Sequence, residues 1–252
     1  MKRIFISGLI ILAMTAAAQA QPAATPMPDL LSQLLPAQGG AVSGKIVQYL
    51  LLLTVLSLAP GLLIMVTSFT RIIIALSFLR SGLGLQTTPA NLVMVSLALF
   101  LTFFVMAPTF TASWEQGLKP YSDGQISDQV AYERITTPFR DFMVKQVREK
   151  DLALFQEVAA ETRGFGEARD ARDLRILVPA FMISELRRGF EMGFLIALPF
   201  LVIDLIVATV TMAMGMMMLP PTIISLPFKV LFFVLVDGWS LLAGSLIRSF
   251  SG

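Results

Sequence analysis

The chain has 252 residues, of which 56% are hydrophobic and 14% charged, and its formal net charge is +2. An apolar content this high indicates a membrane protein, and so small a net charge gives no reason to expect a nucleic-acid partner. The sequence contains no Cys and no His, which excludes disulfides, thiolate nucleophiles, imidazole bases and the usual zinc ligands, so we predict neither a cofactor nor a metal site.

The first 20 residues have the three parts of a cleavable secretory signal peptide. Two basic residues precede an apolar stretch, and small residues end it at Ala18-Gln19-Ala20. We expect cleavage after Ala20, with an uncleaved anchor helix as the alternative. Residues 21–44 are rich in Pro, Ala, Gln and Gly, which predicts a flexible mature N-terminus outside the cytoplasm.

Residues 45–110 are predicted to form a first helical hairpin. Two apolar segments, 46–65 and 91–110, are candidates to cross a bilayer, and we expect interruptions near Pro60 and Pro108. The residues between them, 67–88, carry two arginines, Arg71 and Arg80, and no acidic residue. A short segment with only positive charge is typical of the cytoplasmic side, so we predict a cytoplasmic loop there.

Residues 111–188 differ from the rest of the chain in their charge. The stretch from 114 to 188 holds 13 of the 17 acidic and 12 of the 19 basic residues. This concentration of charge predicts a small, water-facing helical domain between the membrane segments. The cytoplasmic loop and the signal peptide agree on an orientation that places this domain in the periplasm.

Three helices are predicted within this domain. The first covers residues 128–136, the second has Thr137 as N-cap and Pro138 at its first position, and the third is capped by Asp151 and ended by Gly164-Phe165-Gly166. The apolar stripes of the last two helices contain aromatic residues, Phe142 and Phe155. We expect the stripes to pack on each other and on a neighbouring copy, and a small internal core is the alternative.

The third apolar run follows this domain. Pro179 suits a helix start, and Pro199 is expected to kink the helix. Glu185 lies just before the segment enters apolar surroundings, where a charge is costly. Arg187 and Arg188 follow it, and a glutamate at such a place is expected to pair with a nearby arginine.

Residues 189–252 are predicted to form a second hairpin, with a methionine-rich turn at 212–221. Its arms are the apolar runs 192–219 and 222–247, which are separated by two prolines that a helix cannot continue through. Each arm contains an intramembrane acid, Asp204 or Asp237, which we expect either to pair with a partner's donor or to face a water-filled lumen. Three residues near run ends are expected to be interfacial anchors: Lys229, Trp239 and Arg248.

Three consecutive methionines, Met216, Met217 and Met218, stand in the turn of the second hairpin. They cannot share one helical face, because neighbours on a helix lie roughly 100° apart. Some of them are therefore expected to face a lumen or a partner. Both a soft, deformable constriction and plain packing fit these unbranched thioethers.

Long stretches of the sequence resemble the FliP family of flagellar export-gate proteins, which has counterparts in virulence type III secretion systems. They are residues 53–79, 97–108, 138–145 and 184–246, and the last includes Met-Gly-Met-Met-Met-Leu-Pro-Pro at 214–221. The resemblance implies an all-α integral membrane protein with broken helical hairpins and a small helical periplasmic domain. It places the protein in the bacterial inner membrane, within the flagellar basal body, with its helices packed on partners largely above the membrane plane.

The resemblance also implies a function and partners. About five copies of such a subunit join smaller FliQ-like chains and one FliR-like chain in a conical gate, through which unfolded flagellar proteins leave the cytoplasm. In such gates the methionines at 216–218 form a gasket around the closed pore. The family's functional positions in the periplasmic domain fall on Phe142, Phe155 and Glu185.

Two other functions compete with this one. Asp204 and Asp237 could form the proton-sharing pair of an intramembrane aspartyl protease, but Asp237 follows Leu235-Val236 and lacks the Gly-x-Gly that precedes the aspartate in that family. A small-solute transporter predicts inverted repeats, and the two helix pairs are not visibly similar. We therefore predict an export-gate subunit and not an enzyme.

Overall fold

The computed structural model describes residues 42–161, 170–215 and 220–251, which form helices joined by short turns. In chain order the helices are α1 (Val42–Met65), α2 (Phe69–Gly82), α3 (Asn91–Ser113), α4 (Lys119–Ser122), α5 (Asp128–Gln146), α6 (Glu149–Glu161), α7 (Leu174–Ala213), α8 (Pro221–Leu235) and α9 (Gly238–Arg248). A π-helical turn, Trp114–Leu118, joins α3 to α4. The chain divides into two units, 1–58 and 59–252, and α2 to α9 belong to the second.

Within the described residues, two helical stretches are long and apolar enough to cross a membrane. One is Asn91–Ser122, which comprises α3, the π-helical turn and α4, and the other is α7. Helices α8 and α9 make a third span when they are taken together, although they are bent by 65°. The fold class predicted from the sequence, an all-α membrane protein, is confirmed.

Three helices continue through prolines at which the sequence predicts a break or a start. The breaks expected near Pro60 and Pro108 are absent, because α1 and α3 are continuous there. Helix α5 likewise passes Pro138, and the predicted cap at Thr137 is wrong. The Thr137 hydroxyl donates backward to the carbonyl of Glu133 at 2.7 Å. Pro138 removes the backbone donor to the Arg134 carbonyl, and the helix continues on both sides of this single missing bond.

Three predicted helix starts also need correction. Helix α1 begins at Val42, inside the segment predicted to be flexible. Helix α6 begins at Glu149, so Asp151 lies in its first turn and does not cap it. Helix α7 begins at Leu174 and not at Pro179, because Asp173 caps it by accepting the Arg175 backbone N–H at 2.9 Å.

The segment predicted to be a cytoplasmic loop, 67–88, is mostly the buried helix α2. Its core residues recur at helical spacing and pack against α3, α7, α8 and α9: Ile72, Ala75, Leu76 and Leu79. Arg71 is buried as well. Of the two arginines used to orient the chain, only Arg80 remains as a surface charge.

Helices α2 and α7 approach closely because α7 carries two glycines on the facing side. A Cβ atom added at Gly193 would lie 2.6 Å from the ring of Phe78, and one at Gly189 would lie 3.1 Å from Ile74. No larger residue fits at Gly193 unless Phe78 shifts. This contact brings polar residues of α2 and α7 within hydrogen-bonding distance of each other.

The remaining predictions about segments concern parts of the chain outside the described residues. They are the signal peptide at 1–20, the segment 21–41, the glycine stop at 164–166 and the methionines at 216–218.

Candidate functional site

Arg71 of α2 and Glu185 of α7 form a buried ion pair. Their side chains are 1% and 0% exposed. Arg71 Nε donates to Glu185 Oε2 at 3.0 Å, and Nη2 donates to Oε1. Glu185 does pair with an arginine, as predicted, but the partner is Arg71 of α2 and not an arginine nearby in the sequence.

The remaining N–H groups of Arg71 also have acceptors. Nη1 donates to the carbonyl oxygen of Ser249 at 2.9 Å and to its Oγ at 3.0 Å. Nη2 donates to Gln146 Oε1 at 3.0 Å as well. All five donors of the guanidinium are thus used, and only arginine offers five donors in a fixed planar fork.

Gln146 and Phe250 complete this arrangement. Gln146 Oε1 also accepts from Arg188 Nη1 at 2.9 Å, and its Nε2 donates to the Phe250 carbonyl at 3.2 Å. Arg71 Cζ lies 3.8 Å from the centroid of the Phe250 ring, a cation–π distance. We call this set the Arg71 cluster: Arg71, Gln146, Glu185, Arg188, Ser249 and Phe250. It ties α2, α5 and α7 to the residues that follow α9.

Ser184, beside Glu185, joins α7 to the start of α6. Its hydroxyl accepts the Arg148 backbone N–H at 3.1 Å and donates to Asp151 Oδ2 at 2.7 Å. Ser184 is fully buried, and Asp151 is 9% exposed. The Ser184-Glu185 pair therefore fixes α7 to two different neighbours, α6 through the hydroxyl and α2 through the carboxylate.

A second ion pair, between a buried lysine and a partly exposed aspartate, joins the two arms of the C-terminal hairpin. Lys229 Nζ of α8 donates to Asp204 Oδ2 of α7 at 2.5 Å, and Ser225 Oγ donates to Asp204 Oδ1 at 2.5 Å. Lys229 also donates to the carbonyl of Gly82, at the end of α2, at 3.0 Å. That carbonyl belongs to the last turn of a helix, where the carbonyl groups have no partner within the helix. We call this set the Asp204 cluster: Gly82, Asp204, Ser225 and Lys229.

The Asp204 cluster corrects two predictions. Asp204 pairs with a cation of its own chain, whereas a partner or a lumen was expected. Lys229 is 4% exposed and bound to Asp204, so its prediction as an interfacial anchor is wrong. Ser225, Lys229 and Phe233 recur every four residues on α8 and are all buried, which places Lys229 on the inner face of the helix.

Asp237 lies in different surroundings from Asp204. It is exposed and has a φ of +51°, at the break between α8 and α9. The predicted single run 222–247 is thus two helices. Both oxygens of Asp204, in contrast, accept hydrogen bonds, from Ser225 and from Lys229.

The methionine turn begins where α7 ends. Met212 and Met214 are exposed, and Gly215 has a φ of +73°, a conformation that glycine adopts at no steric cost. An apolar groove of about 520 Å³ lies between the arms, lined by Ile206, Val210, Met214, Ile224 and Phe228 among others. The gasket role of the methionines at 216–218 stays a prediction.

Phe142 and Phe155 are both partly buried by their own chain. Phe142 lies edge to face with Phe181, at 5.9 Å between centroids, and stacks with Phe250 at 6.2 Å. Phe155 packs against Ala159 and Ile176. Each keeps some exposed surface, and their role in assembly stays a prediction. Glu185 has no exposed surface, so any part that it plays in assembly is indirect.

Sequence reasoning identified Glu185 and Asp204 but missed the residues that bind them. Arg71 lies four residues before Ala75 and eight before Leu79, so it shares the buried face of α2. That spacing was a readable signal of a buried cation. Gln146 had the same kind of signal, since it lies four residues after Phe142 and three after Met143 on the apolar stripe of α5. Ser249 had none, because it follows the end of α9.

Comparison with known proteins gives a consistent result. The model of the FliP family matches residues 52–246. A flagellar biosynthetic protein FliP from Rhizobium meliloti is 58% identical over 246 residues, which is 98% of this chain and 97% of that protein. Proteins of the same name from Agrobacterium fabrum and Bacillus subtilis are 61% and 54% identical, over 84% and 81% of this chain and 86% and 91% of their own lengths.

Proposed function

The chain belongs to the FliP family, and on this premise we propose that it is a core subunit of the flagellar type III protein export gate. The observation that carries the proposal is the family match over residues 52–246. In this role the protein lies in the bacterial inner membrane, at the flagellar basal body. It forms part of the channel through which unfolded flagellar proteins leave the cytoplasm.

In this proposal a signal peptide at 1–20 directs residues 111–188 to the periplasm. The charged surface of this segment supports an aqueous location. Arg172 donates to Asp141 at 3.0 Å, and the two side chains are 57% and 44% exposed. Exposed ion pairs of this kind are stable in water and costly in hydrocarbon.

Assembly with other subunits accounts for the apolar surface of the chain. Helices α3, α7 and α8 carry large exposed side chains, including Leu92, Phe100, Leu195, Leu205 and Leu235. A surface of this kind needs lipid or partner helices to cover it. We propose about five copies per gate, together with FliQ-like and FliR-like chains. Phe142 and Phe155 contact a neighbouring copy in this arrangement, and Glu185 acts on that contact through Arg71.

The narrowest point of the proposed channel is the methionine turn. Thioether side chains deform around varied side chains and close again, which suits a pore that passes unfolded protein and retains ions. The Asp204 cluster supports this role, because it fixes both arms of the hairpin to each other and to α2. The arms are thus held while the turn deforms.

Replacement of Met216, Met217 and Met218 by alanine tests this function. The substitutions keep good helix formers and remove bulk, so the subunit is expected to assemble at normal size and to leak ions. Leakage is measured as growth inhibition on high salt and as ion flux across inner-membrane vesicles. The matched control replaces the same residues by leucine, which keeps volume and apolarity and is expected to leak far less.

Two results would contradict the proposal. A triple-alanine complex that is as tight as wild type means that the methionines only pack. A variant that does not assemble means that the turn is an assembly contact, and the seal then lies elsewhere.

A further inference from the structure

The residues that follow α9 close one side of the Arg71 cluster. Ser249 supplies two of the acceptors that Arg71 Nη1 uses, and the Phe250 carbonyl accepts from Gln146. The Phe250 ring lies over the guanidinium at 3.8 Å. Four separate contacts thus fix the backbone and the ring of this short segment.

The Phe250 ring also contacts Phe142. The two rings lie 6.2 Å apart with an interplanar angle of 24°, and Phe142 meets Phe181 on α7 at 5.9 Å. Phe181 is fully buried, whereas Phe250 and Phe142 are partly exposed. The Phe142 ring is therefore held between two other rings, the buried ring of Phe181 and the partly exposed ring of Phe250.

Phe142 and Phe250 together line an open groove of about 540 Å³ between α3, α5 and the residues after α9. Phe104, Pro108, Pro138 and Lys145 line it as well. Loss of the Phe250 ring enlarges this groove on the side of Phe142. The Phe142 ring can then rotate into the enlarged groove, since an aromatic side chain that loses a packed neighbour has more rotamers open to it.

We infer that Phe250 is a positioning residue, which holds Phe142 in the orientation needed for contact between copies. The inference rests on the proposed assembly role of Phe142. Arg71 fixes Phe250 through its ring and, by way of Ser249, through the backbone. The buried ion pair of the chain thereby sets the shape of its assembly surface.

A double-mutant cycle on the full-length protein in detergent tests this inference. The variants are Phe142→Ala, Phe250→Ala and the double variant, and the readout is the oligomer fraction on native gels over a concentration series. Phe250→Ala is expected to raise the dissociation constant by roughly two- to tenfold, the range expected for loss of one aromatic contact. In the Phe142→Ala background, Phe250→Ala is expected to add nothing, because the residue on which it acts is gone.

Phe250→Tyr is the conservative control and is expected to restore assembly, because its ring keeps both contacts. If Phe250 only stabilises the fold, a different pattern is expected. Loss of oligomer would then follow loss of folded subunit, measured by protease resistance, and the two substitutions would act independently in the cycle.

The outcomes separate this inference from the proposed function. If Phe142→Ala disrupts the oligomer and Phe250→Ala does not, or if their effects multiply, the positioning role is overturned and the assembly surface stands. If Phe142→Ala itself leaves the oligomer intact, the assembly role of Phe142 fails and the positioning role fails with it.

Discussion

Replacement of Arg71 by methionine is the sharpest test of the structure. The substitution keeps an unbranched side chain of similar length and removes the cation. Glu185 then remains with 0% exposure and without its partner, and the Ser249 carbonyl loses a donor. The Glu185 carboxylate cannot reach water unless the contact between α2 and α7 opens.

The expected cost follows from this burial. Breaking a buried ion pair by removing one partner costs about 3–5 kcal/mol, and the additional loss at Ser249 favours the upper part of that range. A typical free energy of unfolding is about 5–15 kcal/mol, so the variant is expected to lose a third or more of its stability. Removal of both charges, in Arg71→Met/Glu185→Leu, is expected to cost less than Arg71→Met alone, because no unpaired charge stays buried.

Unfolding of the detergent-solubilised protein in SDS, followed by tryptophan fluorescence, measures these free energies. Arg187→Met is the matched control. It breaks the pair between Arg187 and Glu191, whose side chains are 56% and 59% exposed. The cost there is expected to be about 0–1 kcal/mol, since water replaces the lost partner.

Two results would refute the reasoning. One is a cost for Arg71→Met no larger than that for Arg187→Met, which would mean that Glu185 is hydrated. The other is a double variant less stable than Arg71→Met, which would mean that the cluster acts mainly through its packing and not through its charge.

Two further substitutions test the hairpin and the helix contact by the same measurement. Lys229→Met is expected to cost about 1–3 kcal/mol, less than Arg71→Met, because the Asp204 side chain is 29% exposed and keeps the Ser225 bond. A larger cost for Lys229→Met than for Arg71→Met would contradict the burial assigned to the two pairs. Gly193→Ala is expected to cost about 1–3 kcal/mol through the clash with Phe78. Its control is Gly61→Ala, where nothing lies within 4 Å of the new Cβ and a gain in helix propensity is expected, so equal effects at the two sites would refute the close approach.

The helical class and the long apolar segments were predictable because hydropathy and length act locally. The segment from residue 91 and the long helix α7 both carry apolar runs that a bilayer-crossing helix requires. The breaks at prolines were not predictable in the same way. Whether a helix continues through Pro138 depends on packing against the rest of the chain, which a local pattern does not contain.

The sites were predictable only in part, for a similar reason. An acidic residue in an apolar run predicts that a cation or a hydrogen-bond donor lies beside it. Glu185 and Asp204 could be identified as candidate site residues for this reason. Counting charges along the chain treats each one as solvated, and this assumption assigned Arg71 to a loop. Its partner Glu185 lies 114 residues away in the sequence, and helical periodicity gives no information about contacts over that separation.

The Arg71 cluster also imposes an order of events on a chain that leaves the ribosome with its N-terminus first. Glu185 follows Arg71 by 114 residues and Ser249 follows it by 178. Translation at about 5–20 residues per second puts roughly 10–35 s between the synthesis of Arg71 and that of Ser249. Gln146 and Glu185 are made within this interval, so the guanidinium gains its partners in steps, and the last of them only when the chain is almost complete. The buried cation of α2 thus waits longest for its full set of partners, although α2 is among the first helices to be made.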